Sequence, residues 1–151
     1  MLAEAAATQL PWFAGALSRP AFARLLRTSA ALACAYSLRH VITAPARAQF
    51  ARAIGLPVLA ALQCHPRAQR EPLRFDPPVD CFNRHSITAA GLAIALRATS
   101  GAAQRQWLQL RLPCQCAQDA AQWSLQDTAA RTALDLIGDA FLLLDARRTP
   151  C

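Results

Sequence analysis

Residues 82–98 read FNRHSITAAGLAIALRA, and apolar residues occur in this stretch on nearly every side of a helix. Ile87, Leu92 and Ile94 are spread around the helix axis and do not form one stripe. A helix that is apolar on all sides is typical of the interior of a protein, because no face is suited to water. We therefore predict a central buried helix over 82–98, against which the rest of the chain packs.

Helical patterns lie on both sides of this segment. Apolar residues recur three or four positions apart, and Gly55, Pro66 and Gly101 are placed where helices end. The predicted helices cover 21–41, 44–54, 57–64 and 125–146, with a short helical lead-in at 11–17. Leu108, Leu110 and Leu112 instead alternate with polar residues, which is typical of a strand with one buried face. The predicted fold is mainly α, a compact helical domain of about five helices with one short strand or minimal sheet near 106–113.

The chain length predicts a single domain. With 151 residues and 54% hydrophobic composition, the chain is large enough for one modest core. Residues 1–20 are predicted to be an N-terminal lead-in, and 21–151 a single helical domain. Residues 66–80 contain four prolines and several charges, so we predict a proline-rich loop there.

The formal net charge of +7 falls entirely on the first half of the chain. All sixteen basic residues are arginine, and residues 1–70 hold eight of them with Glu4 as their only acid. A basic surface of this kind suits an acidic protein partner, nucleic acid or an anionic membrane. No uncharged stretch approaches the length of a membrane span, and residues 1–18 lack the positive start of a signal peptide. We therefore expect a cytoplasmic protein without a membrane span.

Enzymatic motifs are missing from the sequence. There is no glycine-rich phosphate loop, GxSxG or HExxH pattern, and the pair Cys114 and Cys116 lacks two further zinc ligands nearby. We expect no catalytic residues, no cofactor and no metal. A small thiol enzyme or hydrolase that uses Cys64, Cys81 or a histidine is one alternative, and it requires a cysteine of lowered pKa.

A second alternative is a basic helix-turn-helix DNA-binding regulator. Residues 46–62 have the order helix, Gly55, helix, which imitates such a motif. The second helix of this pair, however, offers only Gln63 for contact with base edges. We therefore expect no nucleic acid partner.

Two stretches of the chain resemble a known family. The first runs from Arg24 through Leu62 and contains SLRHVIT at 37–43. The second, residues 83–113, reads NRHSITAAGLAIALRATSGAAQRQWLQLRLP. An apolar helix, a turn, a tryptophan and an LxLRLP segment in this order are similar to the SctK/YscK proteins of bacterial type III secretion systems. The similarity covers about residues 20–144.

This resemblance implies a function without chemistry. SctK/YscK proteins are adaptors of the cytosolic sorting platform, linking the C-ring-like SctQ component to the cytosolic domain of the inner-membrane ring protein SctD. The resemblance therefore implies SctQ-like and SctD-like partners, and a location in the cytoplasm peripherally associated with the inner-membrane secretion apparatus. An electrostatic docking face is predicted at Arg39, Arg47, Arg52, Arg67 and Arg70. Trp107 and Arg111, which share one face of the predicted strand, are predicted to anchor a partner.

Overall fold

The computed structural model describes residues 17–38, 43–69, 83–123, 125 and 128–145. The α-helices in these ranges are α1 (Arg19–Ala33), α2 (Ala35–Leu38), α3 (Ala44–Ile54), α4 (Leu56–Gln63), α5 (Arg84–Ala98), α6 (Ala102–Leu110), α7 (Cys114–Ala120) and α8 (Ala130–Asp145). One 3-10 helix spans Pro66–Gln69. The prediction of a mainly α fold is confirmed, although the described residues alone contain more helices than the five expected.

Helix α5 is the central element, as its sequence predicts. From Ile87 to Ala98 every residue except Arg97 is buried. Helix α5 packs most extensively against α1, and α7 and α8 also contact it, while α8 packs against α1 as well. The core of the described residues is therefore built on the α1–α5 pair.

The ends of α1 follow local rules. The Ser18 hydroxyl accepts a hydrogen bond from the backbone N–H of Ala21 at 3.4 Å, and Pro20 lies in the first turn, where it displaces no helical hydrogen bond. The predicted helix 21–41 is interrupted at Cys34, after which α2 adds a single turn. Residues 39–42 lie outside the described residues.

Helices α3 and α4 are joined by one residue. Helix α3 matches the predicted range 44–54, and α4 begins one residue before the predicted 57–64. Gly55 between them has a φ of 91°, a conformation that other residues rarely adopt. The chain can therefore change direction there without a longer turn.

The predicted strand near 106–113 is wrong, because residues 102–110 form helix α6. Of the three alternating leucines, Leu108 is buried but Leu110 is 70% exposed, so the alternation creates no buried face. The Arg105 guanidinium also folds back on α5, donating to the backbone carbonyls of Leu96 at 2.8 Å and Thr99 at 3.3 Å. These bonds satisfy carbonyls at the end of α5, and the alanine and glutamine of α6 favour a helix intrinsically.

The C-terminal half differs from prediction in two further ways. The last helix, expected over 125–146, begins at Ala130, and α7 was not predicted.

Within the predicted loop 66–80, Pro66–Gln69 form the 3-10 helix, and residues 70–82 lie outside the described residues. The lead-in at 11–17 also lies outside them except for Leu17. None of the described helices combines the length and apolar character needed to cross a membrane.

Candidate protein-binding surface

Trp107 of α6 and Arg111, which caps the C-terminal end of this helix, are the two residues predicted to anchor a partner. Trp107 and Arg111 are four positions apart, so they share one face of a helix as they would share one face of a strand. The Arg111 Cζ lies 4.9 Å from the ring centroid of Trp107 and 4.9 Å from that of Phe22 on α1. Arg111 also donates a hydrogen bond to the carbonyl of Leu17. These contacts connect the end of α6 to the start of α1.

Trp107 remains partly accessible despite this contact. Its side chain is 44% exposed, and Leu110, less than one turn further along α6, is 70% exposed. Phe22, the other ring near the guanidinium, is 1% exposed and belongs to the core. Arg111 therefore covers the buried ring of Phe22 and also contacts the partly exposed indole of Trp107. We call Trp107, Leu110 and Arg111 the anchor surface.

Of the five arginines of the predicted docking face, the structure describes Arg47, Arg52 and Arg67. Arg39 and Arg70 lie outside the described residues. Arg47 and Arg52 are exposed on α3. They are five positions apart, so their side chains differ in direction around the helix axis by more than a quarter turn. Whether they bind a partner stays a prediction.

Arg67 has a partner within the fold. Its Nε donates to the Asp139 carboxylate on α8 at 2.7 Å, and the Arg67 side chain is only 18% exposed. In a charge-assisted hydrogen bond of this length, the positive charge of Arg67 and the negative charge of Asp139 compensate each other. Arg67 therefore ties the 3-10 helix to α8, a role that no local sequence pattern indicates, since its partner is distant in the chain.

Arg52 belongs to a group of arginines that sequence reasoning missed. It lines a cavity of about 300 Å³ together with Arg24 and Arg27 of α1 and Arg84 of α5. We call these four residues and the cavity the arginine pocket. The helical pattern places Arg24 and Arg27 outside the apolar stripe of α1, but it contains no signal that joins them to Arg52 and Arg84.

The α3–α4 pair does not present a base-reading helix. Val58, Leu59 and Leu62 of α4 are buried. Its exposed residues are Leu56, Pro57 and Ala60, whose side chains carry no hydrogen-bonding group, and Gln63 at its end is half-buried. Direct readout of bases requires such groups, so the geometry of α4 does not favour a DNA-binding regulator.

Two cysteines are poor nucleophiles. Burial raises the pKa of Cys34 to about 12. Burial, together with the nearby charge of Asp119, raises the pKa of Cys116 to about 11. Both shifts are opposite to what a reactive thiolate requires. Of the two candidate thiols, Cys64 is exposed, and Cys81 lies outside the described residues.

The histidine candidates have local contacts. The Nδ1 of His65 accepts from the backbone N–H of Arg67 at 3.2 Å. The His85 Nε2 lies 2.5 Å from the Asp119 carboxylate and connects α5 to α7. The hydrogen bonds from His85 and Gln115 hold the pKa of Asp119 below its usual range. No group of three or more potential metal ligands occurs within the described ranges.

Comparison of the chain with models of protein families, with curated proteins and with solved structures gives no significant match.

Proposed function

We propose that this chain is a non-enzymatic adaptor of the cytosolic sorting platform of a bacterial type III secretion system. In this role it links an SctQ-like C-ring component to the cytosolic domain of an SctD-like inner-ring protein. It works in the cytoplasm, peripherally associated with the inner-membrane apparatus. The proposal starts from the sequence resemblance to the SctK/YscK proteins.

The anchor surface is the observation that carries this proposal. The large hydrophobic side chains exposed among the described residues are Leu56, Trp107, Leu110 and Leu142. Two of these four lie less than one turn apart on α6, with an arginine beside them. Tryptophan and arginine are the residue types most enriched at binding hot spots. A partner that covers this site removes exposed apolar area from water.

The support that Arg111 provides makes Trp107 a suitable anchor. The guanidinium lies 4.9 Å from the ring centroid of the indole and 4.9 Å from that of the core residue Phe22. The indole therefore has fewer orientations to lose when a partner binds, and this lowers the entropic cost of association. The chain has a net charge of +7, and Arg47 is exposed. Both features favour an acidic partner and increase the rate at which the two proteins associate.

Co-purification tests the proposal. The chain is co-expressed with the SctQ-like protein and the SctD-like cytosolic domain of one secretion system. The complexes are washed with about 300 mM NaCl, because salt screens exposed charges and so removes proteins that are held only by non-specific electrostatic attraction. We expect recovery of at least one of the two proteins. Recovery of neither, with nucleic acid in the eluate, contradicts the adaptor function and favours the DNA-binding regulator.

Matched surface variants locate the interface. Trp107→Ala and Leu110→Gln are each expected to weaken the recovered complex at least about tenfold, the loss typical of a hot spot. Leu142→Gln is the control, because Leu142 is 65% exposed, close to the 70% of Leu110, but lies on α8. Equal weakening by Leu110→Gln and Leu142→Gln would exclude the anchor surface as the binding site.

A further inference from the structure

The arginine pocket lies where three helices meet. Arg24 and Arg27 are three positions apart on α1, Arg52 is near the end of α3, and Arg84 is the first residue of α5. The cavity of about 300 Å³ that they line is at the lower end of the range for small-molecule sites. Four guanidinium groups from three elements therefore border one concave space.

Hydroxyl contacts hold this arrangement together. Arg27 Nη1 donates to the Thr88 hydroxyl on α5 at 3.5 Å, and Thr88 in turn donates to the carbonyl of Arg84 at 2.6 Å. The Thr28 hydroxyl donates to the carbonyl of Arg24 at 2.9 Å. The threonine protons are thus used within the protein, and Arg27 is the arginine of the pocket that donates to one of these hydroxyls.

The positive charges of the pocket have no carboxylate partner in the described part of the chain. Its described lining contains no acidic residue, and the arginine ion pairs among described residues involve Arg67 and Arg131. Burial lowers the pKa of Arg27, and the charges of Arg84 and Arg24 lower it further. Arg24, Arg52 and Arg84 are exposed and Arg27 is half-buried. Solvent therefore screens part of the repulsion among the four charges, and a bound anion relieves the rest.

We propose that the arginine pocket binds an anion that carries two or more adjacent phosphate groups. A single phosphomonoester carries about 1.5 to 2 negative charges at neutral pH, which is too few for four guanidinium groups, and each further phosphate adds negative charge. The planar fork of arginine also matches phosphate oxygens in a bidentate manner. An acidic peptide supplies one charge per carboxylate and would have to place several side chains in this small volume.

The lining indicates which part of the ligand is recognised. Besides the arginines and Thr28, the described lining consists of residues 51 and 53–55 of the α3 end, none of them aromatic. Arginines that bind phosphate oxygens through their N–H groups are not available to stack on a nucleobase, and the described lining offers no aromatic ring for that purpose. Phosphate recognition therefore dominates, and inorganic tripolyphosphate and ATP are expected to bind with affinities within about threefold of each other.

Titration calorimetry of the full chain with inorganic tripolyphosphate tests this inference, at about 50 mM and about 150 mM NaCl. We expect saturable binding with one site, and weaker binding at the higher salt concentration. Arg52→Gln and Arg84→Gln are each expected to weaken binding at least about tenfold, since each removes a charge-assisted contact. Arg47→Gln is the control, because it removes the same charge from α3 but does not line the pocket.

Three outcomes would overturn the inference. The first is equal weakening by Arg47→Gln and Arg52→Gln, which would indicate non-specific attraction to the net charge. The second is displacement of tripolyphosphate by polyglutamate or a duplex oligonucleotide at lower concentration, which would assign the pocket to an acidic peptide or to nucleic acid. The third is absence of tripolyphosphate binding to the wild-type chain.

These measurements use the isolated chain without any protein partner. Their result is therefore independent of the adaptor function proposed above. Loss of tripolyphosphate binding in Arg52→Gln leaves the anchor surface unchanged, and loss of partner recovery in Leu110→Gln leaves the arginine pocket unchanged.

Discussion

Gly91 of α5 lies directly against the backbone of Leu26 in α1. A Cβ atom placed on Gly91 would be 2.0 Å from the Leu26 carbonyl oxygen and 2.4 Å from its carbonyl carbon. Real Cβ atoms do not approach backbone atoms so closely, and the backbone cannot rotate away as a flexible side chain does. The absence of a side chain at Gly91 is therefore what allows the two central helices to pack at this distance.

The first prediction concerns the two helical glycines. Gly91→Ala is expected to lower the free energy of unfolding by at least about 2 kcal/mol, because α1 and α5 must separate. Gly138 in α8 is the matched control, since an added Cβ there meets nothing within 4 Å. Gly138→Ala is expected to raise stability by about 0.5–1 kcal/mol through a better helix propensity. Urea unfolding followed by circular dichroism measures both, and equal effects would contradict the close approach at Gly91.

The second prediction concerns the ion pair between Arg67 and Asp139. A double-mutant cycle with alanine at both positions is expected to give a coupling energy of about 1 kcal/mol, because the groups are 2.7 Å apart and partly buried. The control pair on α8, Arg131 and Asp135, is 3.6 Å apart and mostly exposed, and we expect about 0.3 kcal/mol for it. A coupling for Arg67 and Asp139 no larger than that of the control would show that the 3-10 helix is not held by this pair.

The third prediction concerns acid stability. In the folded state the hydrogen bonds from His85 and Gln115 lower the pKa of Asp119 below its ordinary value of 3.8. At a pH between the two values, the unfolded state binds more protons than the folded state, so stability falls as the pH falls. This contribution is complete above the ordinary value and is lost as the pH falls through the lowered one.

Asp119→Asn reveals this contribution in thermal unfolding. The wild type is expected to melt at a higher temperature than Asp119→Asn at about pH 6, and the difference is expected to shrink below about pH 4. Asp135→Asn, which removes an exposed carboxylate of α8, controls for the change in net charge. A difference between wild type and Asp119→Asn that stays constant with pH would refute the role of the hydrogen bonds from His85 and Gln115.

The fourth prediction concerns thiol reactivity. Cys64 and Cys114 are exposed and are expected to react with iodoacetamide before Cys34 and Cys116, which are buried. The pKa values of about 12 for Cys34 and about 11 for Cys116 leave almost no thiolate near neutral pH, which slows them further. Peptide mass spectrometry after timed alkylation gives the order, and unfolding in guanidinium is expected to equalise all six cysteines. A cysteine that reacts faster in the folded than in the unfolded chain would favour the thiol-enzyme alternative.

Several elements of this fold could be predicted from the sequence because their signals are local. Residues 82–98 are apolar on every side, and this property alone places α5 in the interior. The bounds of α3 follow from Pro45 in its first turn and from Gly55 at its end, where a positive φ is needed. Each of these signals depends on neighbours within one or two helical turns.

Other elements could not be predicted, because their local signals are ambiguous. Leucines two apart fit a strand, but Leu108 and Leu112 are also four apart, as in a helix. The contacts of Arg105 with the end of α5 favour the helix. Helix α7 has only seven residues, too few for a periodic signal. The burial of Cys116 and Ala120 results from the packing of α7 against α5, which the sequence around them does not indicate.

The two candidate sites divide in the same way. That Trp107 and Arg111 share a face follows from their spacing, because four positions bring side chains together in a helix and on one side of a strand. The pocket lined by Arg24, Arg52 and Arg84 and the pair of Arg67 with Asp139 follow instead from how the helices pack. Burial of apolar helix faces is non-directional, so it brings together polar residues from distant segments that no local sequence pattern relates.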